Sequence, residues 1–255
     1  MNVCTLRLRR AACPLALGAA ALALVILLRC TGAYVLLAGG TVRRLPVYSV
    51  ERADKAIAIT FDCAWGTERT DAILQACARE GVRATFFMVE FWAEKYPDYV
   101  RKIDGAGHEI GTHSATHSHM AGMAEERIRA ELRASSAAIA AVTGKEVKLF
   151  RAPFGEYDDR LIRTAEEEGY TVIQWDVDSL DWKDLSASEI ALRVTSRVQP
   201  GSIILCHNNG LHTAEALPAI LDALQTGGYT FVPVGELLLQ GETTVDARGR
   251  QRPAS

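Results

Sequence analysis

The sequence predicts an α/β domain in which parallel strands, each followed by a helix, close into a barrel, and three observations point there. Short apolar runs alternate with amphipathic helical stretches from residue 55 onward, the pattern of a parallel sheet wrapped by helices. Unusual polar residues stand at or just after the C-terminal ends of several of those runs. Ahead of them lies an N-terminal segment of different material, strongly apolar and flanked by arginine.

Composition sets the outer limits. With 255 residues, 49% of them apolar and 23% charged, the chain is an ordinary globular sequence rather than a disordered or fibrous one. Folding at this length buries roughly 70 to 75% of the unfolded surface, enough for one large domain. The net charge of −3, from 28 Lys and Arg against 31 Asp and Glu, lacks the basic excess that phosphate backbones demand, so nucleic acid is excluded as a partner. A monomer is expected.

Residues 11–28 carry no charge and follow Arg7, Arg9 and Arg10. A helix of that length rises about 27 Å, close to one hydrocarbon core. The positive-inside rule keeps the arginines in the cytoplasm and sends the remaining chain across the membrane. Residues 1–40 are therefore expected to form a transmembrane signal-anchor, with the folded domain extracytoplasmic. Thr31-Gly32-Ala33 also offers a cleavage site, so a cleaved signal peptide and a secreted domain is the alternative. Residues 41–54 read as a linker, 55–240 as the folded domain and 241–255 as a polar, frayed tail. Cys4, Cys13 and Cys30 fall in the targeting segment; Cys63, Cys77 and Cys206 fall in the domain, and three thiols cannot pair off into a disulfide framework.

Along the domain, seven strands are expected at residues 57–62, 84–89, 108–111, 147–150, 170–175, 202–206 and 229–232. Helices fill the intervals. One spans 67–80 and stops at Gly81; another spans 125–142, where Ile128, Leu132, Ile139 and Val142 form a single stripe. Ser186 and Glu189 have the spacing of a capping box, and Asp158 is placed to cap the helix that ends at Gly169.

The polar residues at strand ends choose between an open sheet and a barrel. Asp62, the His113/His117 pair, Arg151, the Asp176/Asp178/Asp181 cluster and His207 belong to five different strands. Five adjacent strand ends in a flat sheet would spread over roughly 19 Å, whereas closure turns them toward one mouth. The expected architecture is thus a seven-stranded (β/α) TIM-like barrel. Two histidines four apart lie on one face of a helical turn and can share a divalent ion.

Five segments, in order, give the chain a family resemblance: Thr60-Phe61-Asp62, His113-Ser114-Ala115-Thr116-His117, Arg151-Ala152-Pro153-Phe154-Gly155, Asp178-Ser179-Leu180-Asp181-Trp182 and Leu205-Cys206-His207. Together they resemble the polysaccharide deacetylase family of carbohydrate esterases, the NodB homology domain, over about residues 55–239. The resemblance implies a metal-dependent hydrolase that removes N-acetyl groups from a cell-wall or chitin-type polysaccharide. It implies one divalent metal ion, Zn²⁺ foremost with Co²⁺, Ni²⁺ or Mn²⁺ as alternatives, held by His113 and His117. By the same resemblance Asp62 is the general base with Arg151 as its partner, and His207 is the general acid with Asp178 raising its pKa. The peptide N–H of Phe154, after Pro153, would stabilise the oxyanion, and Trp182 and Leu205 would wall the acetyl pocket.

The chain departs from the family at one position. A second aspartate, the third protein ligand to the metal, normally follows the first, and here Cys63 follows Asp62. Three outcomes stay open: Cys63 binds as a thiolate, two histidines hold the ion with water or another carboxylate such as Asp176, or the metal is lost. Asp181 reads equally as a helix cap, Trp65 as a sugar-stacking face or core packing, and His119 and Glu90 lie near the same rim. The competing class is a non-catalytic glycan-binding module. A cytoplasmic sugar-phosphate enzyme conflicts with the apolar N-terminal segment and lacks a glycine-rich phosphate loop.

Overall fold

The computed structural model describes residues 43–254; the expected anchor and the three N-terminal cysteines lie outside the described residues. Among the described residues no helix is long and apolar enough to cross a membrane. The strands, in chain order, are β1 (Ser49–Val50), β2 (Ala56–Cys63), β3 (Thr85–Met88), β4 (Glu109–Thr112), β5 (Leu149–Phe150), β6 (Thr171–Val172), β7 (Val177–Asp178), β8 (Ile203–His207), β9 (Thr230–Phe231), β10 (Thr243–Val245) and β11 (Arg250–Pro253).

Seven of them make a curled parallel sheet in the order β6-β5-β4-β3-β2-β8-β7, and β9 pairs with the first two residues of β2. Each expected strand has a counterpart, but that at 229–232 is β9, off the main path, the seventh place is taken by β7, which was not expected, and the barrel is not closed by strand pairing, since β6 and β7 form the two edges. The expected strand at 170–175 explains the opening. It breaks after Val172, and the carboxylate of Asp176 accepts from Ser202 Oγ and the Ile203 N–H, tying the connection to the start of β8. Residues 177–178 then pair on the far side of β8. Part of the gap is spanned from below, where Val47 bridges to Ile173 and Ser49 to Ser202.

Alternation along β2 sorts its side chains into two cores. Ile57, Ile59, Phe61 and Cys63 pack outward with the helices, in one cluster with Trp92, Ile128 and Leu132. Ala56 and Ala58 face inward with Phe87, Leu149 and Ile203. Gly111 makes room for this interior, because a Cβ there would stand 2.6 Å from the Phe87 ring. The helix Glu125–Thr143 buries Ile128, Leu132 and Ile139. Helix caps follow the sequence: Asp158 accepts from the Leu161 N–H, and Ser186 with Glu189 completes a capping box.

Two expectations about the ends are corrected. Residues 43–54 of the expected linker belong to the fold, since Val47 and Val50 are buried and β1 pairs with β11. Residues 241–254 are not frayed: β10 and β11 form an antiparallel hairpin, with Gln251 buried and accepting from the Leu239 N–H. The turn is made by Asp246, whose side chain accepts from the N–H groups of Arg248 and Arg250.

One buried histidine sets an acid limit on stability. His108 lies just before β4, and its Nδ1 accepts the Ala84 N–H at 3.0 Å. Burial, with Arg83 adding to it, pulls its pKa down to about 4, so the folded state holds it neutral. The unfolded chain takes up that proton near pH 6.5. Its contribution, at most about 3 kcal/mol, is complete above that pH and is lost as pH falls from 6.5 toward 4. Urea melts of His108→Asn are expected to show a flatter pH dependence across that window; an unchanged slope would contradict the assignment.

Candidate active site

The inward alternation of β2 ends in Thr60 and Asp62, so the last inward side chain of the strand is a carboxylate at the mouth of the curl. Arg151, directly after β5, is fully buried beneath it. Its Nη1 donates to Asp62 Oδ1 and to Thr60 Oγ1, each at 2.8 Å, and its Nη2 donates to the Gln174 carbonyl. The guanidinium lies 4.2 Å over the Phe87 ring. Burial works against ionising Asp62, but the Arg151 guanidinium beside it, the strongest of the neighbouring charges, outweighs that and the carboxyl stays below its usual range.

His113 follows β4 and is almost completely buried. Its Nδ1 lies 2.7 Å from the Arg151 carbonyl oxygen, which can only accept, so Nδ1 carries the hydrogen. Burial depresses its pKa, so the ring is neutral and Nε2 presents a lone pair, 3.5 Å from Asp62 Oδ2. Two acceptors facing each other in this way leave a place for a cation. The His117 ring stands 5.0 Å from that of His113, and burial pulls its pKa down to about 4. The structure thus brings the histidine pair together, but on a left-handed turn rather than a helical one: Ser114 has φ 75° and His117 φ 53°.

Such non-glycine angles cost about 1–3 kcal/mol each and persist only where the surroundings impose them. Glu131, missed in the sequence, imposes this one. It is buried, and its Oε2 accepts the N–H groups of Ala115 and Thr116 at 3.1 and 2.8 Å. A signal was available, because a glutamate three residues after Ile128 interrupts the buried stripe of its own helix.

His207 ends β8 directly beside Asp62: the two residues are Cα partners in neighbouring parallel strands. Its Nδ1 donates to Asp181 Oδ1 at 2.7 Å, and Asp181 Oδ2 accepts the His207 N–H and the Thr213 hydroxyl. Burial tends to lower the His207 pKa, yet Asp181, with help from Asp62 and Asp178, raises it overall. Asp178 thus acts on His207 in the expected direction, but the carboxylate bonded to the ring and acting most strongly on it is Asp181. Asp178 lines the cleft, but its Oδ1 accepts the Leu180 N–H, whereas Asp181 is fully buried and bonded to the imidazole.

These groups share a cleft of about 750 Å³ that is also lined by Trp65, Phe154, Trp182 and Leu205. Phe154 sits at φ 61° behind a buried Pro153, and its ring packs against His119 and His117. Trp182 is exposed at the rim and Leu205 is buried in the wall. His119 stays outside the lining and bonds Glu156. Glu90 also stays outside, opening the helix Glu90–Lys95.

Cys63 does not join the histidines. It belongs to the apolar cluster outside the sheet, its thiol lies 3.8 Å from the Phe61 carbonyl, and burial together with Asp62 pushes its pKa well up. Asp176 is equally distant in role, committed to Ser202 and Ile203. Neither supplies the third ligand that the sequence left open.

A family model described as polysaccharide deacetylase matches residues 49–173. A peptidoglycan-N-acetylglucosamine deacetylase of Bacillus cereus is 33% identical over 196 residues, covering 75% of this chain and 92% of that protein. The chain belongs to the polysaccharide deacetylase family. Another Bacillus cereus peptidoglycan-N-acetylglucosamine deacetylase is 35% identical over 69% of this chain, which spans just under two thirds, 66%, of that relative's length. Among solved structures, a CE4 family pseudoenzyme from Bacillus anthracis aligns with TM-score 0.73 and 31% identity, covering 75% of this chain and 68% of that one. A mutant of that pseudoenzyme has restored enzymatic activity. The curled parallel sheet is thus that of the polysaccharide deacetylases.

The donors present fit a divalent ion in part. Two neutral imidazoles and the facing Asp62 carboxylate favour a cation, and imidazole nitrogens suit Zn²⁺. Among the described residues, however, no group of three or more His, Cys, Asp or Glu side chains is arranged to hold one.

Proposed function

We propose that this chain hydrolyses N-acetyl groups of a cell-wall polysaccharide, with peptidoglycan the favoured substrate. The observation that carries the reading is the pairing of Asp62 and His207 across β2 and β8, each with its own buried partner and each tuned in the opposite direction. A base that stays ionised and an acid that stays protonated, side by side in one cleft, are what amide hydrolysis requires.

Asp62 takes a proton from the attacking water, with Arg151 holding the carboxylate in place. The Phe154 N–H donates to the oxyanion as the carbonyl becomes tetrahedral. His207, with Nδ1–H fixed on Asp181, donates from Nε2 to the departing nitrogen; the C–N bond breaks and leaves acetate and a sugar amine. Leu205 and Trp182 flank the acetyl methyl. His113 and His117 would hold a divalent ion, which when bound polarises the acetamide carbonyl and acidifies water. The domain acts outside the cytoplasm, tethered through residues 11–28.

A second reading, a glycan-binding module that has lost its ion, is favoured by the place of Cys63 outside the cleft. Acetate release from peptidoglycan and chitooligosaccharide separates the two. Release that stops with chelator and returns with Zn²⁺ is expected; binding without release under every condition would select the module. Cys63→Ala is expected to leave zinc affinity within about threefold of wild type, because the thiol packs in the outer core. A loss of tenfold or more would restore the thiolate as a ligand.

A further inference from the structure

Arg69 is the only lysine or arginine among the residues that line the cleft, and the proposed chemistry gives it no task. Among the described residues its side chain makes one hydrogen bond, from Nε to the Leu211 carbonyl at 3.0 Å, and no ion pair. The carboxylates deep in the same lining are already committed: Asp62 to Arg151, Asp178 to the Leu180 N–H, and Asp181 to His207 and Thr213. Its own helix gives no reason for the residue either. Arg69 is the N-cap of the helix Thr70–Arg79, makes no capping bond there, and sets a positive charge at the end where the helix dipole favours a negative one. Residues that run against a local preference in this way concentrate at functional sites.

The Nε bond ties the loop after β2 to the loop after β8, so the guanidinium bridges the two loops that follow the strands delivering Asp62 and His207. With Nε held, both Nη nitrogens keep their N–H donors for a ligand, and the open edge of a guanidinium fits a carboxylate through two parallel bonds. In the reaction proposed above, on which this inference rests, His207 protonates the nitrogen leaving a sugar ring. The ring carbon next to the one bearing that nitrogen carries a plain hydroxyl in chitin-type sugars. In the muramic acid of peptidoglycan it carries a lactyl ether that ends in a carboxyl group, free or extended by the peptide stem. We infer that Arg69 binds a carboxylate of the substrate, so that the cleft selects the acidic amino sugar of peptidoglycan over a neutral chitin-type chain.

Calorimetric titration of the full chain, under chelator so that no turnover intervenes, tests it with two disaccharides. Chitobiose is neutral, and N-acetylglucosaminyl-N-acetylmuramic acid carries a free lactyl carboxylate. Wild type is expected to prefer the acidic one about tenfold, and Arg69→Gln to bind both alike by losing affinity for the acidic one alone. A wild type without preference overturns the assignment, as does a preference that survives in Arg69→Gln or an equal loss for both sugars. Should Arg69→Gln melt early, salt decides. Raising ionic strength from about 0.05 to about 0.5 M is expected to erode the wild-type preference while chitobiose binding holds, and a preference indifferent to salt overturns the assignment. The acidic disaccharide extended by a stem dipeptide, which turns the lactyl carboxyl into an amide, identifies the source. Preference lost with that ligand assigns the lactyl carboxylate, and preference kept assigns the carboxylate of the stem. Arg69-dependent preference without acetate release from any substrate leaves the carboxylate site standing and removes the hydrolase reading instead.

Discussion

Asp62→Asn is expected to lower acetate release by about 10²–10⁴-fold, the range that a positioned general base contributes. The amide keeps the shape of the carboxylate, and its Oδ1 still accepts from Arg151, which also retains its bonds to Thr60 and Gln174. What it loses is the ability to take a proton. Acetate release read beside a thermal melt makes the result specific: a folded, inactive variant supports the assignment, and release at the wild-type rate rejects it.

Arg151→Met is expected to have the largest effect on stability. The guanidinium is fully buried, and its charge is what keeps a buried carboxylate ionised. Methionine preserves much of the contact with Phe87 but leaves the Asp62 charge without its cation. Removing one member of a buried pair costs about 3–5 kcal/mol, a fall in melting temperature on the order of 10 °C for a domain of this size. The sign on activity follows from the same electrostatics. Burial alone raises a carboxyl pKa, so Asp62 in the variant would be protonated at higher pH, and any residual activity would lose its acid limb at higher pH than wild type. Adding Asp62→Asn removes the stranded charge and is expected to recover part of the lost stability. A double variant no more stable than Arg151→Met would show that the charge was not the source of the loss.

The strands and most of the site were legible because each signal was local. Runs of apolar residues marked the parallel strands, and Asp62, Arg151 and His207 each stood at a strand end where side chains reach the mouth. The alternatives left open at Cys63 could have been narrowed by an equally local signal. Neighbouring residues on a strand face opposite sides, so a β2 that ran regularly through residue 63 would put the thiol with Ile57, Ile59 and Phe61, away from Asp62. The choice between Asp178 and Asp181 was not legible in the same way. They lie three residues apart around a turn in which Leu180 adopts φ 54°, and only that turn determines which carboxylate meets the imidazole.

By itself the sequence determined the alternation of strands and helices, the helix caps, the place of Asp62 at a strand end and the residue types that can exchange protons, since these depend on chemistry and spacing along a few neighbouring positions. The tertiary structure alone decided that the sheet stays open between β6 and β7, that the last residues return to pair with β1, that Glu131 holds the histidine turn, and that Asp181 rather than Asp178 partners His207. Each of those outcomes depends on groups far apart in the chain competing for the same hydrogen-bond donors and the same buried space, a competition settled only when all of them are packed together.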